Sequence, residues 1–572
     1  MKKVLLLSFL LAAGYFGFAQ SLMITNVNLI DVENGDLLKD RNILVQDGKV
    51  TGVFHKKLPK ILTEQSIDGR GKYLMPGMMD GHIHFFQTGG LYTRPDALDL
   101  RSKQPYNDER KLALDLTTDH FNRYLRMGVT TVVDVGGPFT NFLIRDSLAV
   151  VHVAPNVLVT GPLFSTYQPA NLGTIDPPII LTDTKEKVDS LFAKMLPMKP
   201  DFIKVWYIVK PGQTAESTYP IIEYISKKTH EVGLKLAIHS TQLRTAKLAV
   251  KAGTDMLVHS IDDEIIPTDF IKELKEKNIG YIPTLMVHNG YISTFTLTGS
   301  NHPLDIKWAN PAAYGSLKDL EAMSKEEVPQ KLQKIWAKKE KYLKNYSKGD
   351  SIMLLNLDLL NKNGIQIATG TDAGNIGTMH ASSYYQELAW MKEGGMSPAD
   401  ILKASTIQVA RTFGVENTLG TIEIGKIADM LLLDENPLED INNLNSLTHV
   451  IKNGEVLMVD TLIKETPEML VQRQLNAYNA RNVDEFMATY SDSIELYTFP
   501  NTLISKGQSG MKERYTKMFA STPNLHCEIK ERIVLGNKII DQEYVRFNDN
   551  YVNAVAVYEV ENGKIVKVTF IK

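Results

Sequence analysis

Residues 76–85 read PGMMDGHIHF and set His82 and His84 two positions apart. In an extended segment residues two apart point to one face, so two imidazoles stand side by side. That is the beginning of a metal site, not a complete one. Residues of matching chemistry recur at the ends of apolar runs: His239 in KLAIHS, His259 in DMLVHS and Asp372 in IQIATGTDAG. Imidazole nitrogens and a carboxylate are the donors that Zn²⁺ and similar divalent ions take. Lys204, inside the apolar run DFIKVW, is of another kind, because an ammonium has no lone pair. Burial would lower its pKa, and the free amine can then take up CO₂ as a carbamate. Such a carbamate bridges two metals at roughly 3.5–4 Å; without it, the histidines and Asp372 hold one.

Something must gather these six residues. Apolar, strand-like runs alternate with helical stretches at 129–137, 156–162, 201–206, 235–240, 255–260, 280–285 and 365–374; the run holding His82 makes eight. Runs apolar on both faces suit parallel strands, and eight strand–helix alternations predict a (β/α)₈ TIM barrel over residues 76–414. In that fold the C-terminal strand ends share one mouth, where chemistry is placed. The stretch between Leu285 and Ile365 is longer than a barrel needs and is expected to form a lid or wall beside the mouth. Short β-branched runs over 20–75 and 415–460 predict one composite β-sandwich built from both ends of the barrel segment. After Asp460 the texture changes again, and residues 466–572 read as a separate α+β module.

At PGMMDGHIHF, DFIKVW, AIHS, LVHS and GTDAG the chain resembles the amidohydrolase superfamily, and IEIGKIADMLLLD with VIKNGEV extends the likeness over residues 22–460. Within it the sequence is similar to the imidazolonepropionase- and prolidase-like group, whose DFIKV-type strand carries a carboxylated lysine. The resemblance implies two divalent metal ions, zinc being the expected element, held by His82, His84, Lys204, His239, His259 and Asp372. It implies a CO₂-derived carboxylate on Lys204 and a proton-carrying role for Asp372. The activity implied is hydrolysis of C–N bonds in amides, cyclic amides or small peptide-like substrates through a metal-bridging hydroxide. A mononuclear deaminase or a lactone or ester hydrolase on the same barrel is the first alternative. A non-catalytic small-molecule binding protein is the second, although its signature would be lost ligands. Tyr167, Tyr207 and His380 follow strand ends and are candidate substrate contacts. The loop GPLFSTYQPANLG departs from the glycine- and His-rich text usual after the third strand, so no contact carries over from it. The last module resembles the SnoaL-like or NTF2-like family, a cone of helices against a curved sheet. In ketosteroid isomerase of that group an Asp is the base. In the stretch ELYTFPN the corresponding place holds Tyr497 or Thr498 rather than a carboxylate, so an accessory ligand-binding or dimerising domain is expected.

Composition narrows the rest. The chain has 572 residues, 43% apolar and 23% charged, which fits a soluble protein of two or three domains. With a net charge of −3 and no basic run, nucleic acid is not an expected partner. Lys2 and Lys3, an apolar stretch and the small residues Gly17 and Ala19 predict a signal peptide over 1–19, cut before Gln20. After cleavage no membrane contact is expected, and a periplasmic or secreted bacterial location follows. Cys527 is the sole cysteine, so no internal disulfide accompanies export. The expected partner is a small-molecule substrate, with a homo-oligomer through the C-terminal domain as the candidate assembly.

Overall fold

The computed structural model describes residues 21–56, 62–151, 153–173, 175–210, 212–299, 301–548 and 550–571. The expected signal peptide, residues 1–19, lies outside the described residues. Two parallel sheets occupy the centre. One runs Met78–Ile83, Val129–Asp134, Asn156–Val159 in that spatial order. The other runs Ile179–Leu181, Leu163–Ser165, Ile203–Trp206, Leu236–His239, Met256–Val258, Gly280–Ile282. The strands Met78–Ile83 and Val129–Asp134 are buried at every position, their polar members Asp80, His82, Thr130, Thr131 and Asp134 included, so neither shows the in–out alternation of a half-exposed strand.

Backbone hydrogen bonds outside the named strands link the two sheets at both flanks. Asp201 N donates to Val159 O at 2.9 Å on one side. On the other, the run at 365–374 bonds to the neighbours of both sheets: Tyr281 N to Gln366 O at 2.8 Å, Ala368 N to Tyr281 O at 2.9 Å, Gly81 N to Thr369 O at 2.9 Å and His84 N to Ala373 O at 2.8 Å. This run was expected to be a regular strand; instead it pairs through the isolated bridges Tyr281–Ile367 and Ile83–Ala373. The reason is close approach. A Cβ on Gly370 would stand 2.8 Å from His82 Cβ, and one on Gly81 would stand 2.8 Å from Thr369 O. The glycines of DGH and TGT let these backbones touch, and they weaken regular strand geometry in doing so.

A mixed eight-stranded sheet draws on both ends of this segment, in the order Glu455–Met458, Leu447–Lys452, Met430–Leu433, Tyr73–Pro76, Ser21–Asp31, Asp36–Gln46, Lys49–His55, with Gln65–Asp68 beside Ser21–Asp31. Alternation along Met430–Leu433 divides its burial: Met430 and Leu432 pack with Leu22, Ile24 and Ile451, whereas Leu431 and Leu433 join the main core. Across the sheet a buried pair, Lys452 Nζ on Asp429 at 3.1 Å, also reaches Asn156 Oδ1 at 3.0 Å and so ties the sheet to the centre.

Residues 285–299 and 301–362 contribute a set of helices, the longest Lys339–Lys362. The C-terminal module is a six-stranded sheet, Thr502–Lys506, Tyr490–Thr498, Lys564–Ile571, Asn550–Glu561, Lys538–Phe547, His526–Leu535, with the helices Pro467–Asn479, Val483–Met487 and Gln508–Ser521. It docks on the inserted helices: Ile306 and Tyr314 share one apolar core with Leu470 and Leu475, and Asn476 Nδ2 donates to Pro311 O at 2.8 Å. Among the described residues no helix is long and apolar enough to cross a membrane.

Candidate metal centre

A cavity of about 250 Å³ opens at the C-terminal ends of the central strands, and His82, His84, Lys204, His239, His259 and Asp372 all line it. His82 Nε2 stands 3.3 Å from both His84 Nε2 and Asp372 Oδ1, and His84 Nε2 stands 3.0 Å from Asp372 Oδ1. His259 Nδ1 is 3.7 Å from Asp372 Oδ2, and its ring packs on His239 with centroids 4.4 Å apart. Burial holds His82, His239 and His259 well below the usual imidazole pKa, with the nearby Lys204 charge adding to it. These three rings are therefore neutral, and the contacts of His82 and His259 with Asp372 are not ion pairs. Neutral imidazole is the form that ligates metals.

Neighbouring groups fix the orientation of the donors. His84 Nδ1 lies 2.6 Å from Gly136 O; a carbonyl only accepts, so that nitrogen carries the hydrogen and Nε2 presents its lone pair to the cluster. His259 Nδ1 meets Thr284 Oγ1 at 2.8 Å. Asp80, from the DGHIH stretch, accepts from Thr371 N at 3.0 Å and Thr371 Oγ1 at 2.7 Å, bracing the residue before Asp372; burial raises its pKa to about 7. Asn375 Nδ2 donates to Asp372 Oδ1 at 2.7 Å, while Asn375 Oδ1 accepts from Arg94 at 2.6 Å and Tyr291 at 2.9 Å. These partners set the Asn375 amide so that its NH₂ faces Asp372. Three residues here, His259, Thr284 and Asp372, sit at φ of 78°, 45° and 60°. Such left-handed conformations cost about 1–3 kcal/mol each in non-glycine residues and gather where side-chain placement is under functional constraint.

Lys204 is 2 % exposed, its Nζ has no hydrogen-bond partner among the described residues, and burial lowers its pKa to about 7. A buried, unpartnered amine that sheds its proton near neutral pH, facing three neutral histidines, fits a group that bridges to metal. His82 Nδ1 is a second buried, unpartnered atom. The donors of His82, His84 and Asp372 lie within 4.8 Å of one another. The set of imidazole nitrogens, a carboxylate and a deprotonated lysine suits a borderline divalent ion.

Three residues sought as substrate contacts lie elsewhere. Tyr207 is buried with its hydroxyl on Ala215 O at 2.5 Å. Tyr167 stacks on Trp206, with centroids 6.1 Å apart, and is not among the residues lining the cavity. His380 sits behind Gln87, bonded to Gln87 O at 2.8 Å and Tyr124 Oη at 3.1 Å, and burial lowers its pKa to about 4. The cavity is lined instead by Arg94, Trp206, His288, Tyr291 and Asn375 among others. Only Trp206 carried a sequence signal: it follows Lys204 by two in one strand and shares its inward face. The helical segment at 285–362 supplies Val287, His288, Tyr291 and Met353 to the wall.

A second cavity, about 220 Å³, lies inside the C-terminal module and is lined by Tyr478, Tyr490, Tyr515, Cys527, Glu543 and Tyr558 among others. Its carboxyl group is Glu543, on the strand Lys538–Phe547, and Tyr558 Oη donates to it at 2.8 Å. The stretch ELYTFPN, where a carboxylate was sought, turns Tyr497 outward onto Glu495 at 2.8 Å.

Comparison with known proteins agrees with this layout. Residues 73–457 match the amidohydrolase family and residues 471–568 match the SnoaL-like domain. The chain is 24% identical over 476 residues to an imidazolonepropionase from Thermoanaerobacter pseudethanolicus, covering 77% of this chain and 93% of that protein. It is 24% identical over 461 residues to an ochratoxinase from Aspergillus niger, covering 74% and 84%. A crystal structure of a Xaa-Pro dipeptidase with bound methionine shares the fold at a TM-score of 0.59 and 21% identity, covering 77% of this chain and all of that one. The crystal structure of the A. niger ochratoxinase does so at 0.58 and 21%, covering 77% and 96%.

Proposed function

This chain belongs to the amidohydrolase family, and from that premise we propose that it is an exported hydrolase of small amides, cyclic amides or peptide-like compounds working through two divalent metal ions, zinc by donor chemistry. In this reading the two central sheets form one closed (β/α)₈ barrel, a reading supported by the hydrogen bonds at both flanks. His82, His84, His239, His259, Asp372 and a carboxylated Lys204 hold the ions. The ions, when bound, supply a polarised scissile carbonyl and an acidified water. The protein's own residues do the rest. Gly136 and Thr284 fix the ring nitrogens of His84 and His259. Asn375 holds the Asp372 carboxylate in one orientation, from which it takes the proton of the attacking water and returns it to the departing nitrogen.

The observation that carries the reading is the convergence of four histidines, Asp372 and a Lys204 whose pKa burial lowers to about 7 on one cavity. Chelation should abolish hydrolysis of an amide panel and zinc should restore it; hydrolysis that survives chelation would overturn the reading. Asp372→Asn should lower kcat by roughly 10²–10⁴-fold while losing less metal than His82→Ala. A variant that turns over at the wild-type rate with its metals in place would assign the proton to another group.

A one-metal deaminase or lactone hydrolase is the second reading. It is favoured by one fact: among the described residues, only His82, His84 and Asp372 bring such donors within 4.8 Å. A metal count of one per chain would select it. Export rests on the residue pattern at 1–19 and is tested by fractionating expressing cells. Self-association through the C-terminal module is supported by the exposed Leu503, Ile533, Val534, Leu535 and Tyr551, and is tested by sedimentation.

A further inference from the structure

The cavity is not evenly polar. Lys204 and Trp206 alternate along one strand and face inward together. The Trp206 ring packs edge-on to His239 with centroids 6.3 Å apart and is backed by Tyr167, stacked at 6.1 Å and 23°. Beside it stand Leu163, Leu172 and Ile179, which form a small apolar cluster of their own with Tyr106, and Ile208 continues the wall. Leu163, Leu172 and Ile179 come from the loop after the third strand, and strand pairing holds that loop against Trp206: Leu163 with Ile179, Phe164 with Val205, Ser165 with Trp206. It is therefore formed before any ligand arrives.

The side chains of this wall carry no charge. The Arg94 guanidinium, elsewhere in the lining, commits three of its five N–H groups, with Nε and Nη2 on Asp96 at 2.8 and 2.6 Å and Nη1 on Asn375 at 2.6 Å. The lining also includes Asp262 and His288, whose Nδ1 is held by Asp350 Oδ1 at 2.9 Å. A substrate carboxylate seated on this wall would meet only apolar side chains there, and a charge desolvated without a partner is strongly disfavoured.

We propose that the cavity takes amides bearing an uncharged aromatic or bulky aliphatic group, seated on Trp206, Leu163, Leu172, Ile179 and Ile208, and discriminates against a carboxylate at that position. The proposal rests on the reading of the site as a hydrolase of C–N bonds and names its substrate class. Free dipeptides ending in a carboxylate on this wall are then poor substrates, and uncharged arylamides are good ones.

Two matched pairs test it on zinc-loaded protein. On the amine side they are 4-ethylacetanilide and 4-acetamidobenzoate; on the acyl side, 4-ethylbenzamide and 4-carboxybenzamide. In at least one pair the uncharged member should show kcat/KM about tenfold or more above the charged one. A readout without turnover is calorimetric binding of the corresponding product pairs, 4-ethylaniline against 4-aminobenzoate and 4-ethylbenzoate against terephthalate, with the same order expected. Trp206→Ala, and the milder Ile208→Ala, should raise KM for the uncharged member about tenfold with kcat and metal content little changed. Equal treatment of both members, preference for the carboxylate, or no binding of any product to metal-loaded protein would overturn the proposal. Protein that takes up no metal would instead overturn the reading on which it rests.

Discussion

Replacing Lys204 by methionine should stabilise the metal-free protein while disabling it. Lys204 is 2 % exposed, its Nζ is unpartnered among the described residues, and burial moves its pKa from 10.5 to about 7. At 1.36 kcal/mol per pH unit, that gap is a penalty of about 4–5 kcal/mol on holding the charged form in the fold. The unfolded chain keeps this proton up to pH 10.5 and the folded chain only to about 7. The unfolded state thus binds more protons across that window, and stability rises with pH through it. The penalty is full below pH 7 and relieved by pH 10.5. Methionine has nearly the same length and no charge. In CO₂-depleted buffer with chelator, Lys204→Met should exceed wild type by about 4 kcal/mol at pH 7, narrowing to about 1 kcal/mol at pH 10. Urea unfolding followed by tryptophan fluorescence measures this, because all four tryptophans, Trp206, Trp308, Trp336 and Trp390, precede the C-terminal module. A variant less stable than wild type at pH 7, or a difference that ignores pH, would refute the argument: the lysine would then be charged and paired in the fold.

Two more outcomes follow from other sites. Burial raises Glu543 from 4.5 to about 7, so between those values the folded chain holds a proton that the unfolded chain has released, and stability falls as pH rises through that window. Glu543→Gln should match wild type near pH 4 and exceed it at pH 8 by on the order of 3 kcal/mol, read by hydrogen exchange along Lys538–Phe547; an unchanged pH profile would argue against the buried proton. A chain ending at Asp460 should keep its metal content, since all six proposed ligands precede that point, while exchange across residues 303–336 should rise because Ile306 and Tyr314 lose the core they share with Leu470 and Leu475. A folded truncated chain without metal would place part of the site in the removed module.

What could be read from the sequence was what sits at strand ends. His82, His84, Lys204, His239, His259 and Asp372 each close or occupy an apolar run, and strand alternation with the run order suffices to bring them to one cavity. Arg94, His288, Tyr291 and Asn375 come from loops and helices whose path is set by tertiary packing, so nothing local marks them. The apolar wall was hidden for the same reason, as Leu163 and Ile179 become neighbours only through parallel pairing within a long loop. His380 and Tyr207 show the converse failure: proximity to a strand end does not fix side-chain direction, and both turn inward to backbone carbonyls. Glu543 was legible in principle. Ile539, Asp541, Glu543 and Val545 alternate as the buried face of one strand, but a carboxylate on a buried register is visible only once that strand's inner face is known.

The central claim is a metal centre bridged through Lys204, and metal stoichiometry tests it most directly. Elemental analysis of zinc-loaded wild type and Lys204→Ala, prepared side by side and each shown to be folded, should give about two ions per chain for the first and no more than one for the second. Equal metal content in the two proteins would contradict the bridging role, and a folded wild type that retains no metal would contradict the account as a whole.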